Sequence, residues 1–125
     1  MRHVSVPAAE GGLPAVAGIA AVAIDCAEPA PLARWWQGVL GGDIDIDGDG
    51  DASLRIGELA LDFLKVPEAK GPKVRLHLDL RARHFNEGVR QLIAHGAVPA
   101  PDVYDGDSWF VFRDPEGNEA CLLRE

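Results

Sequence analysis

Residues 74–80 read VRLHLDL, and this stretch decides the fold. Val74, Leu76, Leu78 and Leu80 alternate with Arg75, His77 and Asp79. That is the period-2 pattern of a strand with one face buried and one face open. The apolar face must meet a helix, because burial is available there, so Arg75, His77 and Asp79 are predicted on the open side. Downstream, Phe85, Val89, Leu92 and Ile93 fall at helical spacing and Gly96 ends the helix. Residues 98–103 form a weak strand interrupted by Pro99 and Pro101, which assigns it to a sheet edge. Residues 109–113 and 118–123 make a hairpin around Asp114-Pro115-Glu116-Gly117.

Upstream the same order occurs. Residues 19–26 are a short apolar strand. Pro29 and Pro31 open a helix, whose first turn needs no amide donors, and Leu32, Trp35, Trp36, Val39 and Leu40 continue it. Gly41-Gly42 stops it. Strands follow at 43–47, 52–56 and 59–66, separated by Gly and Asp. The chain is therefore β-α-β-β-β twice, an internal repeat of about 50 residues, with Ala21 corresponding to His77 and Gly41 to Gly96. The expected architecture is α+β. A flexible lead-in at 1–17 precedes modules at 18–66 and 74–125, joined by a connector at 67–73. Together the modules make one curved mixed sheet with both helices on its outer face.

Alternation then assigns faces. Val22 and Ile24 lie under the first helix, and Ala21, Ala23 and Asp25 face the concavity. Leu59, Leu61 and Phe63 pack, while Ala60, Asp62 and Leu64 face the concavity. A four-residue loop at Asp114–Gly117 places Phe110 opposite Cys121 and lines the cleft with it; a slip of one residue puts Trp109 there instead. Trp35 and Trp36 are adjacent and cannot both face the sheet, so one is expected to pack and the other to be exposed or covered by a partner subunit.

Composition excludes several functions. The chain has 125 residues, 12 Lys plus Arg against 20 Asp plus Glu, and a net charge of -8. A nucleic-acid backbone or an anionic membrane calls for clustered cations, so neither is an expected partner. Two cysteines, Cys26 and Cys121, are too few for a disulfide framework and fit a reducing cytoplasm. The first residues show no compact apolar run of a signal peptide, and no stretch reaches the ~18 apolar residues of a membrane span. The acidic run at 43–51 mimics the start of a calcium loop, but position 12 falls on Leu54 or Ile56 where a Glu is required.

The doubled β-α-β-β-β order, the strand RLHLDL, the helix ending LIAHGA and the closing WFVFRDPEGNEACLL resemble the vicinal oxygen chelate superfamily. Its members include glyoxalase I, extradiol dioxygenases, fosfomycin-resistance enzymes and bleomycin-binding proteins. The nearer resemblance is to its small glyoxalase-like domains, and it covers residues 18–125. The resemblance implies a metal site fed by the first strand of each module and by carboxylates of the last strands. His77 matches the second-module ligand, whereas Ala21 stands at the first-module position and cannot ligate. Cys121 replaces the usual Glu four residues beyond Gly117, and Asp62 is the fourth-strand candidate. If a divalent metal binds, its ligands are then His77, Asp62 and Cys121. The shortfall favours no metal and no cofactor.

The reading that follows is a cytoplasmic glyoxalase-like protein, a homodimer by resemblance, that binds a small organic molecule in the concave cleft. It sequesters the ligand in the manner of a bleomycin-resistance protein. The binding residues are Arg75, His77, Asp79, Asp25, Asp62, Phe110 and Cys121, with His77 the candidate catalytic group. The alternative is a lyase, isomerase or dioxygenase that uses His77 as metal ligand or general base.

Overall fold

A computed structural model describes residues 14–15, 19–67 and 77–124. The order is β1 (Val22–Cys26), α1 (Pro29–Leu40), β2 (Asp43–Ile46), β3 (Ala52–Ile56) and β4 (Leu59–Lys65). Then come β5 (Leu78–Arg81), α2 (Phe85–Ala94), β6 (Val98–Pro99), β7 (Trp109–Arg113) and β8 (Glu119–Leu123). The repeat expected from the sequence is present, and the fold is α+β. The strands form two mixed sheets of four, ordered β1-β4-β3-β2 and β5-β8-β7-β6, in place of one continuous sheet. In each sheet the first strand runs parallel to the last strand of its module, and the other pairs are antiparallel.

The helix-side faces follow the alternation except at Leu59, which was expected to pack and is 42% exposed at the start of β4. Ile24, Leu54, Leu61 and Phe63 of the first sheet are buried, with Leu32, Ala33 and Trp36 of α1 against them. The same core continues into the second module through Phe112, Ala120 and Leu122. One core therefore unites both sheets without a hydrogen-bonded seam between them. Pro29 occupies the first turn of α1, and no side chain of the helix's own caps that end. The cap comes from the other module: Glu116 accepts the backbone N–H of Ala27 at 2.7 Å and of Glu28 at 2.8 Å. Buried Asp114 accepts from Trp36 Nε1, from Glu116 N and Asn118 N, and from Asn118 Nδ2, all between 2.7 and 2.9 Å. Every lone pair it buries is thereby used.

Both members of the tryptophan pair are engaged. Trp36 is buried, while Trp35 donates its indole N–H to the His95 carbonyl at 2.9 Å and packs on Phe112. His95 answers with its Nε2, 2.8 Å from the Trp35 carbonyl. The expectation of an exposed tryptophan awaiting a partner is therefore corrected: Trp35 is half-buried between His95, which follows α2, and Phe112 of β7.

The closing hairpin differs in register. Asp114 bonds to the backbone of Asn118 and draws it into the turn, making a five-residue loop, 114–118. The pairs become Arg113 with Glu119, Val111 with Cys121 and Phe110 with Leu122. Phe110 thus packs on the helix-side core, not in the concavity. The weak strand at 98–103 shrinks to Val98–Pro99, at the sheet edge as its prolines require. Of the opening stretch, residues 74–76, including Arg75, lie outside the described residues, as do 68–73 of the connector.

Candidate functional site

Register maps the open face of the second sheet. Asp79, Cys121 and Val111 form one row across β5, β8 and β7, and Arg81, Leu123 and Trp109 form the next. Glu119 and Arg113 form the row on the other side. His77 precedes β5 by one residue and turns its ring onto this face. Its Nε2 lies 3.0 Å from Cys121 Sγ and 3.3 Å from Asp79 Oδ1.

A thiol and a carboxylate therefore converge on a single ring nitrogen. The His77 and Asp79 side chains are 41% and 60% exposed, whereas Cys121 is 5% exposed. Burial, then the nearby Asp79 and Glu119 carboxylates, pushes the Cys121 thiol above its ordinary range. The thiol stays protonated at neutral pH and is a donor, not a nucleophile. One nitrogen cannot accept from the thiol and donate to Asp79 at the same time, so a neutral imidazole leaves one contact unmatched. A bound hydroxyl, or a cation, can complete the set.

The cover over Cys121 comes from the chain between β6 and β7. Ala100, Val111 and Cys121 form a small second core, with Tyr104 packed against it. Ala100 N–H donates to the Val111 carbonyl at 3.0 Å. Arg113 holds Asp102 through two bonds, 3.0 and 2.7 Å, and the bonded guanidinium lowers the Asp102 carboxyl from its ordinary value. Tyr104 stacks on Trp109. The cover is tied at three points.

Of the residues named from sequence, the structure brings together His77, Asp79 and Cys121, whose ligating atoms all lie within 4.8 Å of one another. Asp62 is not among them. It occupies the matching position on the first sheet, accepts Ser53 Oγ at 2.8 Å and lines a 360 Å³ groove with Asp45, Asp47 and Asp51. Asp25 lies on that same open face of the first sheet, paired with Leu64. A larger groove, 630 Å³, lies between the end of α1 and the β5–α2 turn, lined in part by Arg81, Arg83, His84 and His95. Trp109 and Tyr104 were not singled out as ligand contacts. Only the one-residue slip in the closing hairpin pointed to Trp109.

A doubled βαβββ fold with polar donors on the open face of one module defines a small glyoxalase-type domain. A family model described as a glyoxalase-like domain matches residues 21–123, and the chain belongs to that family. No curated protein matches the sequence. Among solved structures, a possible glyoxalase from Bacillus cereus superposes with a TM-score of 0.65 at 19% identity, covering 87% of this chain and 100% of that one. The fosfomycin resistance protein FosX of Listeria monocytogenes, complexed with Mn(II) and 1S,2S-dihydroxypropylphosphonic acid, gives 0.67 at 11% identity, covering 86% and 90%. An integron cassette protein from Vibrio cholerae gives 0.59 at 16% identity, covering 89% and 97%. At these identities the likeness is one of fold.

A manganese ion of the kind bound in that neighbour prefers oxygen and nitrogen donors in an octahedral field. Here the convergent set is one imidazole, one carboxylate and one protonated thiol. Ala21 supplies no donor, and Asp62 is not part of the set. This set does not fit manganese. Its mixed N, O and S character matches the three-ligand pattern of a thiophilic four-coordinate ion such as zinc.

Proposed function

We propose that this protein binds a small organic molecule on the open face of its second sheet, without a metal, and sequesters it. The observation that carries this reading is the unmatched contact at His77 Nε2, set between a thiol donor and the Asp79 carboxylate on a half-exposed surface. A ligand hydroxyl that donates to Asp79, while the Cys121 thiol donates to His77 Nε2, satisfies all three groups. The mismatch of the donor set with manganese supports binding over family-type metal chemistry.

The closeness of the three donors favours one second reading: a lyase, isomerase or dioxygenase with a thiophilic ion at His77, Asp79 and Cys121. A homodimer is proposed with either reading. Exposed Ile46 on edge strand β2 and Val98 on edge strand β6 support it. A cytoplasmic location is proposed from the two free cysteines, Cys26 and Cys121; no described helix is long and apolar enough to cross a membrane.

The test is a tryptophan-fluorescence titration of EDTA-treated protein with bleomycin and with the methylglyoxal–glutathione hemithioacetal, while product formation is followed. Saturable quenching without turnover is expected. Turnover that appears only after zinc is added, and disappears in His77→Ala, replaces this reading with the second one. No saturable response to either compound overturns sequestration.

A further inference from the structure

Trp109 lies on the same face as Cys121, one row further along, opposite Leu123. Its ring stacks on Tyr104 with centroids 4.0 Å apart and planes inclined by 17°. The stack is pinned from behind. Ser108 N–H donates to the Tyr104 hydroxyl at 3.2 Å, and Gly106 sits so close to the Tyr104 ring that no side chain fits there. Trp109 nonetheless remains 38% exposed, and Leu123 beside it 39%. One flank of the indole is fixed by a second aromatic ring, so the accessible area belongs to the rest of it. A rigid aromatic surface left in water next to a polar cluster is a binding surface in form.

The spacing carries the argument further. Leu123 and Cys121 are two residues apart on β8, so the aromatic row stands about 7 Å from the thiol row. The polar end carries the exposed Asp79 carboxylate, and bordering Glu119 is already held by Arg113, so an anionic group there would meet the Asp79 charge. Resting on the small-molecule reading above, the geometry points to a ligand with a flat aromatic ring and a neutral hydrogen-bonding group about 7 Å from it. The ring lies on Trp109 and the polar group between His77 and Asp79. A second copy of the chain is the competing occupant of Trp109, Val103 and Leu123, and the experiment separates the two.

The probes are 2-naphthol and its ring-saturated counterpart decahydro-2-naphthol, which carry the same hydroxyl on flat and puckered frames. Each is titrated into the ¹⁵N-labelled full chain, and the Trp109 indole N–H signal is followed after assignment with Trp109→Phe. The expected result is about three- to tenfold tighter binding of 2-naphthol, the range of one aromatic stacking contact, with a shift of the Trp109 signal. Trp109→Leu, which keeps apolar bulk, removes the preference. Equal binding of the two probes, an unmoved Trp109 signal, or no binding of either overturns the inference. So does a dimer that Trp109→Leu dissociates with no change in probe affinity. His77→Ala tells that failure from failure of the broader reading. If it weakens both probes alike, the site stands without an aromatic specificity; if it changes neither, the site itself is misplaced.

Discussion

The two modules repeat one backbone and differ in what they place on it. In the first sheet Ala23 pairs with Asp62, and Asp62 with Ser53. In the second, Asp79 pairs with Cys121, and Cys121 with Val111. Corresponding positions therefore hold an alanine, a carboxylate and a hydroxyl in one half, and a carboxylate, a thiol and a valine in the other, with His77 added. The final turns differ as well. Gly57, at φ 61°, lets β3 and β4 meet through a two-residue turn, whereas β7 and β8 are joined by the five-residue loop 114–118. That longer loop reaches back to cap α1 and to hold Trp36. Strand pairing, helix packing and repeat length are thus common to both halves. Ligand chemistry and inter-module support are concentrated in the second.

If the loop at 114–118 is what joins the halves, removing its anchor is the most damaging single change. Trp36→Ala is expected to cost about 3–5 kcal/mol in urea unfolding, through lost burial and a cavity between the modules. A loss under about 1 kcal/mol breaks the claim that one core serves both sheets. Asp114→Ala leaves the Trp36 indole and several buried loop donors unmatched and is expected to cost about 2–3 kcal/mol. Glu116→Ala removes the borrowed cap of α1, and about 1 kcal/mol is expected in the same assay. Glu58→Ala, in the short turn of the first module, is the control and is expected to change stability by no more than about 0.5 kcal/mol. Equal effects of the Glu116 and Glu58 substitutions would erase the distinction between the two turns.

Much of this was legible in the chain. The alternation in 77–80 and the helical spacing of Phe85, Val89 and Leu92 fixed elements and faces, because burial of one face leaves a periodic trace. Parity puts His77 and Asp79 on one side for the same reason, whereas Cys121 was placed with them only by the resemblance, as the residue four beyond Gly117. Register across the last hairpin was not. It depends on Asp114 bonding to the Asn118 backbone, a local side-chain competition that adds one residue to the loop and moves Phe110 to the core. That Asp62 and Asp25 are not among the groups converging on His77 was hidden too. The relation between two sheets is set by how α1 and Phe112 pack, and no single strand records it.

The smallest effect concerns the thiol. Cys121 is held above its ordinary pKa by burial and then by Asp79 and Glu119, so folding favours the protonated form. Its contribution to stability is complete below the unfolded thiol pKa and is lost as pH rises through the higher folded value. Iodoacetamide is therefore expected to alkylate Cys121 slowly at pH 7.5 and faster above pH 9, with Asp79→Asn hastening the reaction at a given pH. An alkylation rate at pH 7.5 equal to that of the denatured chain would show a reactive thiolate and reverse this assignment.

Mapping of backbone-amide shifts with 2-naphthol in the presence of EDTA tests most directly whether the second module alone carries a metal-independent site. The account predicts shifts centred on Asp79, Val111, Cys121 and Trp109, with Ala23, Ser53 and Asp62 unmoved. Shifts centred on Ser53 and Asp62, or shifts that appear only once zinc is added, would contradict it.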